Sequence, residues 1–135
     1  MQRHESLQPL SREHHQTLKI ARRLQWGEPD ADLLRDLAEH RGELAAHFVT
    51  EESIGRQARG QCHDDAILAA QLEQMESEHR QIEQQLAEVL DGQGDRAAYH
   101  RLGELLVAHV RFEERELFNR LQEGCLPGQA GGAHD

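Results

Sequence analysis

His47-Phe48-Val49-Thr50-Glu51-Glu52 and His109-Val110-Arg111-Phe112-Glu113-Glu114 are near-copies of one another. Each sets a carboxylate four residues after a histidine. On an α-helix that spacing brings both side chains to one face, a turn apart and within reach of a common point. A histidine nitrogen and a carboxylate oxygen converging from one helix make half of a metal site. Two such halves facing each other predict a site for two metals, provided the rest of the chain supplies further ligands and brings the halves together.

A chain of 135 residues has room for one domain and one core. Leu, Ala, Glu, Gln and Arg predominate and aromatic residues make up only 4%, an alphabet that favours helices over strands. The formal net charge of -10 argues against a nucleic-acid partner, which needs a basic face, and against an anionic membrane surface. No apolar run approaches the ~20 residues of a membrane span. Met1-Gln2-Arg3-His4-Glu5 lacks the apolar centre of a secretory signal, so a cytoplasmic location is expected. Cys62 and Cys125 form neither a disulfide framework nor a zinc module; they are read as free thiols at one end of the fold, able to close a reversible bridge.

Hydrophobic periodicity predicts four helices. The first covers Ser6 to Trp26, its regular part starting near Pro9 or Ser11, with Leu7, Leu10, His14, Leu18, Ala21 and Leu24 on one stripe. Gly27-Glu28-Pro29-Asp30 stops it and caps the next. The second runs from about Ala31 to Ile54 with Leu33, Leu37, His40, Leu44, His47, Glu51 and Ile54 inward, and Gly55 to Gln61 is expected to be a loop or a frayed end. The third spans roughly Asp64 to Leu90 with His79 inward, and the fourth Arg96 to Leu121 with Leu102, Leu106, His109, Glu113 and Leu117 inward. Short turns between them predict an all-α, antiparallel up-down-up-down bundle over residues 1–123, with 124–135 a disordered Gly-rich tail.

The chain has ten histidines, and each helix carries an inward one. His79 and His109 lie at similar distances from the Asp91–Asp95 turn, so an antiparallel hairpin sets them at one height. His14 and His47 also fall toward one end of their hairpin. A single inward histidine is ordinarily a hydrogen-bonded core residue, and a single His-x3-Glu a solvated pair. Four inward histidines with Glu51 and Glu113 are different, because burying six polar groups in a small bundle needs the compensation that a metal gives. His40 is about 10 Å further along the axis than His47, too far for the same ion.

Ser11-Arg12-Glu13-His14-His15, the two His-x3-Glu-Glu stretches and Glu78-His79 together resemble the hemerythrin-like, HHE cation-binding family over residues 7–121. The resemblance implies a four-helix bundle holding an oxo- or hydroxo-bridged pair of iron ions; manganese or zinc in place of iron stays open to the sequence. By position, His14 and His47 serve one iron, His79 and His109 the other, and Glu51 and Glu113 bridge them. The leucine stripe selects His14 over His15, and the helical register selects Glu113 over Glu114, which some members of the family would favour. Oxygen-carrying hemerythrins have a second histidine on the third helix where this chain has Glu83. A carboxylate there would complete seven ligands and favour the ferric state, which weighs against reversible oxygen carriage; the other reading of Glu83 is a surface residue beside inward Ile82.

The expected function is therefore a non-haem di-iron protein that meets O2, NO or peroxide, in sensing, detoxification or iron handling. Any enzymatic activity is expected to be weak and of oxidase or peroxidase type. A sensor of this kind works through a separate signalling partner or as a homodimer. The alternatives are a reversible O2 carrier or store and a ferritin-like iron oxidase or storage protein. The ferritin-like pattern wants two Glu-x-x-His pairs, and only Glu76-x-x-His79 fits.

Overall fold

Three aspartates start three of the four helices. In the computed structural model, which describes residues 2–92 and 94–127, α1 spans Gln8–Trp26, α2 Ala31–Gln61, α3 Ala66–Leu90 and α4 Arg96–Phe112. Asp30, Asp65 and Asp95 each accept a hydrogen bond from the backbone N–H three residues on, at 2.9, 3.0 and 2.8 Å. Each bond satisfies an amide that a helix start leaves free. α1 packs between α2 and α4, and α3 packs between the same two, giving the expected four-helix bundle. Among the described residues there is no strand, and no helix is long and apolar enough to cross a membrane.

α2 does not stop at Ile54 but continues through the glycine-containing stretch to Gln61. Gly55 faces α3, where an added Cβ would lie 2.9 Å from Leu72 Cδ2. The missing side chain thus lets the two helices close, and Ala58 is fully buried one turn further on. That packing outweighs the ~1 kcal/mol by which a glycine weakens a helix. Gly103 does the same between α4 and α1, since a Cβ there would meet the Ala21 carbonyl oxygen at 2.7 Å.

The fourth helix is also not uniform to Leu121. Glu113–Leu117 forms a π-helical turn, in which the Phe118 N–H bonds the Glu113 carbonyl five residues back, before a last α-helical turn at Phe118–Leu121. The wider turn accommodates one extra residue and points both Leu117 and Phe118 inward.

The apolar core lies in two separate clusters. One contains Leu24, Leu37, Phe48, Leu86 and Leu102; the other contains Leu7, Leu10, Leu68, Met75 and Phe118. The buried polar residues His14, His47, His79, His109, Glu51 and Glu113, none more than 5% exposed, form a layer of their own.

Cys62, at the end of α2, and Cys125 are joined by a disulfide, with Cα atoms 5.7 Å apart. This corrects the expectation of free thiols. Cys125 and Leu126 are buried against the second apolar cluster, so the chain returns to the end of α2 and the two sulfurs meet. Residues 124–127 accordingly belong to the fold instead of to the expected tail; residues 128–135 lie outside the described residues. The bridge closes a loop with a sequence separation of 63, which in a chain-entropy account stabilises by about 4 kcal/mol. Cys62→Ser, or reduction with dithiothreitol, is expected to lower the unfolding free energy in urea by about 2–4 kcal/mol. An unchanged midpoint would show that the bridge does not constrain the unfolded chain.

Candidate metal centre

The heptad-like register of each helix turns one imidazole inward at a common level. The ring centroids of His14 and His47 are 4.9 Å apart, and those of His79 and His109 are 5.0 Å apart. Glu51 and Glu113 stand one turn beyond His47 and His109, between the two pairs. Glu51 Oε2 lies 2.8 Å from His47 Nε2 and 3.5 Å from His14 Nε2, whereas its Oε1 lies 2.9 Å from His79 Nε2. Glu113 Oε1 lies 2.9 Å from His14 Nε2, whereas its Oε2 lies 3.1 Å from His109 Nε2 and 3.5 Å from His79 Nε2. Each carboxylate therefore gives one oxygen to each histidine pair. Two groups of potential ligand atoms result, His14, His47, Glu51, Glu113 and Glu51, His79, His109, Glu113, each with its atoms within 4.8 Å of one another.

Only part of this set is satisfied internally: His14 Nε2 bonds Glu113 Oε1 and His79 Nε2 bonds Glu51 Oε1, each at 2.9 Å. His47 Nε2, Glu51 Oε2, His109 Nε2 and Glu113 Oε2 are all buried without a hydrogen-bond partner, although the nitrogen and oxygen of each motif are close. They meet at angles unsuited to a hydrogen bond. Lone pairs of nitrogen and oxygen gathered in a dry interior suit a shared cation, and the mixed imidazole–carboxylate set suits a first-row transition metal. The residues present fit a metal.

A second ring of carboxylates surrounds the first. His14 Nδ1 bonds Glu114 at 2.6 Å, His47 Nδ1 bonds Glu13 at 2.7 Å, His79 Nδ1 bonds Glu52 at 2.7 Å and His109 Nδ1 bonds Glu78 at 2.6 Å. An ionised carboxylate only accepts, so each Nδ1 carries a proton and its ring presents Nε2 to the interior. The pattern is cyclic: α1 holds the histidine of α2, α2 that of α3, α3 that of α4, and the π-helical turn after α4 that of α1. Sequence reasoning named none of these four residues as a support for the histidines. The signal was nonetheless present, because each sits immediately beside an inward ligand: Glu13 before His14, Glu52 after Glu51, Glu78 before His79 and Glu114 after Glu113. One step along a helix turns a side chain by about 100°, toward the neighbouring helix. Glu114 is held in turn by Ser11 Oγ at 2.7 Å and by Arg3 at 3.0 Å.

Phe48 stacks on His79 with centroids 3.7 Å apart, and Phe118, brought inward by the π-helical turn, stacks on His14 at 5.5 Å. Glu83 is exposed and belongs to neither group of ligand atoms. The fully buried residue after His79 on the inward stripe is Ile82, which leaves Glu83 on the surface, so the structure does not place it as a seventh ligand. His15 is likewise exposed. His40 lies away from the centre and bonds Thr17 Oγ1 at 2.9 Å.

Without a cation the centre must share protons. Burial pushes the Glu51 carboxyl well above the ordinary value, and the charge of Glu113 adds to the rise. Glu113 is held well below its ordinary value: burial opposes this, but the charge of His109 and the hydrogen bond from His14 outweigh it. For His109 burial acts to lower the pKa, yet Glu113 and Glu78 raise it to about 9. Protons on Glu51 and His109 thus compete with any metal.

The family model for the hemerythrin HHE cation binding domain matches residues 5–121. No curated protein and no solved structure matches the chain.

Two predictions follow from the geometry. Glu78→Gln removes the charged partner of His109 and should weaken metal binding by about 10–100-fold, while Glu83→Ala leaves the affinity unchanged; calorimetric titration with zinc distinguishes them. Equal losses in both variants would place Glu83 in the centre after all. The second concerns pH. A histidine whose folded pKa is about 9, against 6.5 in the unfolded chain, adds stability that is complete below 6.5 and lost as pH rises through 9. Glu51, also raised, acts with the same sign. Metal-stripped protein should therefore lose on the order of 3 kcal/mol of stability to urea between pH 6.5 and 9. Stability that is flat or rising over that range would contradict the assignment.

Proposed function

Because the chain belongs to the hemerythrin HHE cation-binding domain family, we propose that it holds a pair of iron ions and presents them to O2, NO or peroxide. The observation that carries this reading is the division of each buried carboxylate. Glu51 and Glu113 both direct one oxygen toward the His14/His47 pair and the other toward the His79/His109 pair. A carboxylate divided in this way would serve two cations at once, one on each side. When bound, a pair of iron ions supplies reversible one-electron chemistry to a small ligand.

The residues of the chain do the rest. His14 and His47 would hold one ion, and His79 and His109 the other. Glu13, Glu52, Glu78 and Glu114 fix the tautomer and the angle of each ring through Nδ1. Phe48 and Phe118 cover two of the rings and keep water from those faces. With Glu83 on the surface, six side chains serve two ions. Each ion would have two imidazoles and a share of two carboxylates, which would leave room for exogenous ligands. That favours a centre that meets a small molecule over one that stores metal. Sensing, detoxification and iron handling all use such a centre, with any signal passed to a separate partner or a second copy of the chain.

Protein purified without chelator or nickel resin should carry two iron ions per chain by elemental analysis. His47→Ala and His109→Ala should each reduce the iron content and lower the melting temperature together, since metal binding contributes to folding. Wild-type iron content in both variants would remove this centre from consideration.

A further inference from the structure

We infer that cations enter through the cleft between α1 and α2 and occupy the His14/His47 position before the His79/His109 position. This rests on the reading of the six buried residues as metal ligands. The cleft has a volume of about 270 Å³ and is lined by Glu13, Gln16 and Thr17 of α1 and by His40, Glu43 and His47 of α2. A candidate ligand thus forms part of its wall.

The support of that ligand is the most exposed of the four. The Glu13 side chain that bonds His47 is 57% exposed, against 34% for Glu52, 27% for Glu114 and 18% for Glu78. Exposed side chains change rotamer in picoseconds to nanoseconds. When Glu13 swings toward solvent, His47 loses the bond that fixes its ring and can meet a cation arriving along the cleft. Carboxylates at Glu13 and Glu43 give the passage a negative lining, which raises the local concentration of cations. Between them His40 bonds Thr17 at 2.9 Å and Glu43 at 3.2 Å, so polar groups from both helices stand along a wall that Leu44 and aliphatic stems complete.

The approach to the other pair is different in each respect. A smaller cleft of about 70 Å³ between α2 and α3 is lined by Arg41, Leu44, Phe48 and Glu83. It reaches Phe48 instead of a ligand, and that ring lies flat on His79 at 3.7 Å and edge-on to His109 at 5.8 Å. Arg41 and Glu83 offset one another there, so this cleft lacks the negative lining that concentrates cations in the first. An ion bound for His79 and His109 therefore passes the first position, handed across by the divided carboxylates of Glu51 and Glu113.

The test is stopped-flow mixing of cobalt(II) with metal-stripped full-length protein, followed by the visible absorption of the bound ion. Gln16→Trp and Glu43→Trp fill the rim of the α1/α2 cleft from exposed positions, and Arg41→Trp fills the other. The expected result is two phases in the wild type, both slowed about tenfold or more by either rim variant, with the final cobalt content unchanged. Arg41→Trp should load at the wild-type rate. Rim variants that load as fast as the wild type, or slowing confined to Arg41→Trp, would overturn the entry route while leaving the centre intact. Wild-type protein that binds no cobalt would overturn the centre itself, and the route with it.

Discussion

Four imidazoles and two carboxylates buried in one layer of a small helical bundle impose the constraint on which the rest of the structure depends. Unpaired polar atoms in a dry interior cost several kcal/mol each, and four of them lack any hydrogen-bond partner. The hydrogen bonds across the layer, His14 to Glu113 and His79 to Glu51, cannot resolve this, because they leave the other four atoms unmet. Cations can. The apolar clusters that are separate from this layer hold the four helices in place and keep the polar atoms at one level.

The centre is built twice from one plan. α1 and α2 contribute Glu13-His14 and His47-x3-Glu51-Glu52; α3 and α4, with the π-helical turn, contribute Glu78-His79 and His109-x3-Glu113-Glu114. In each half the inner residues face the interior and their sequence neighbours reach the histidine of the next helix. The two halves differ in their surroundings. Phe48 covers His79, whereas the cleft between α1 and α2 opens on His47. A near-symmetric set of potential ligands therefore sits in an asymmetric shell, and that asymmetry distinguishes two otherwise equivalent positions.

Much of this was legible in the residues. Alternating steps of three and four placed His47, His79, His109, Glu51 and Glu113 inward, and all are buried. The same register pointed to Ile82 after His79; Glu83 was entertained as a ligand only through the family resemblance, and the side chain is exposed. The length of α2 was not legible, because a glycine reads as a break until its neighbour is known, and Gly55 is instead the point where Leu72 approaches. The π-helical turn at Glu113–Leu117 leaves no periodic trace, yet it sets both Leu117 and Phe118 inward. The disulfide depended on where residues 124–127 fold back, which hydropathy patterning does not report.

The most direct measurement is anomalous scattering at the iron edge from crystals of the iron-loaded protein. Two peaks about 3.5–4 Å apart are expected, one beside the Nε2 atoms of His14 and His47 and one beside those of His79 and His109, with Glu51 and Glu113 spanning them. A single peak, or density at Glu83 or elsewhere on the surface, would contradict the account.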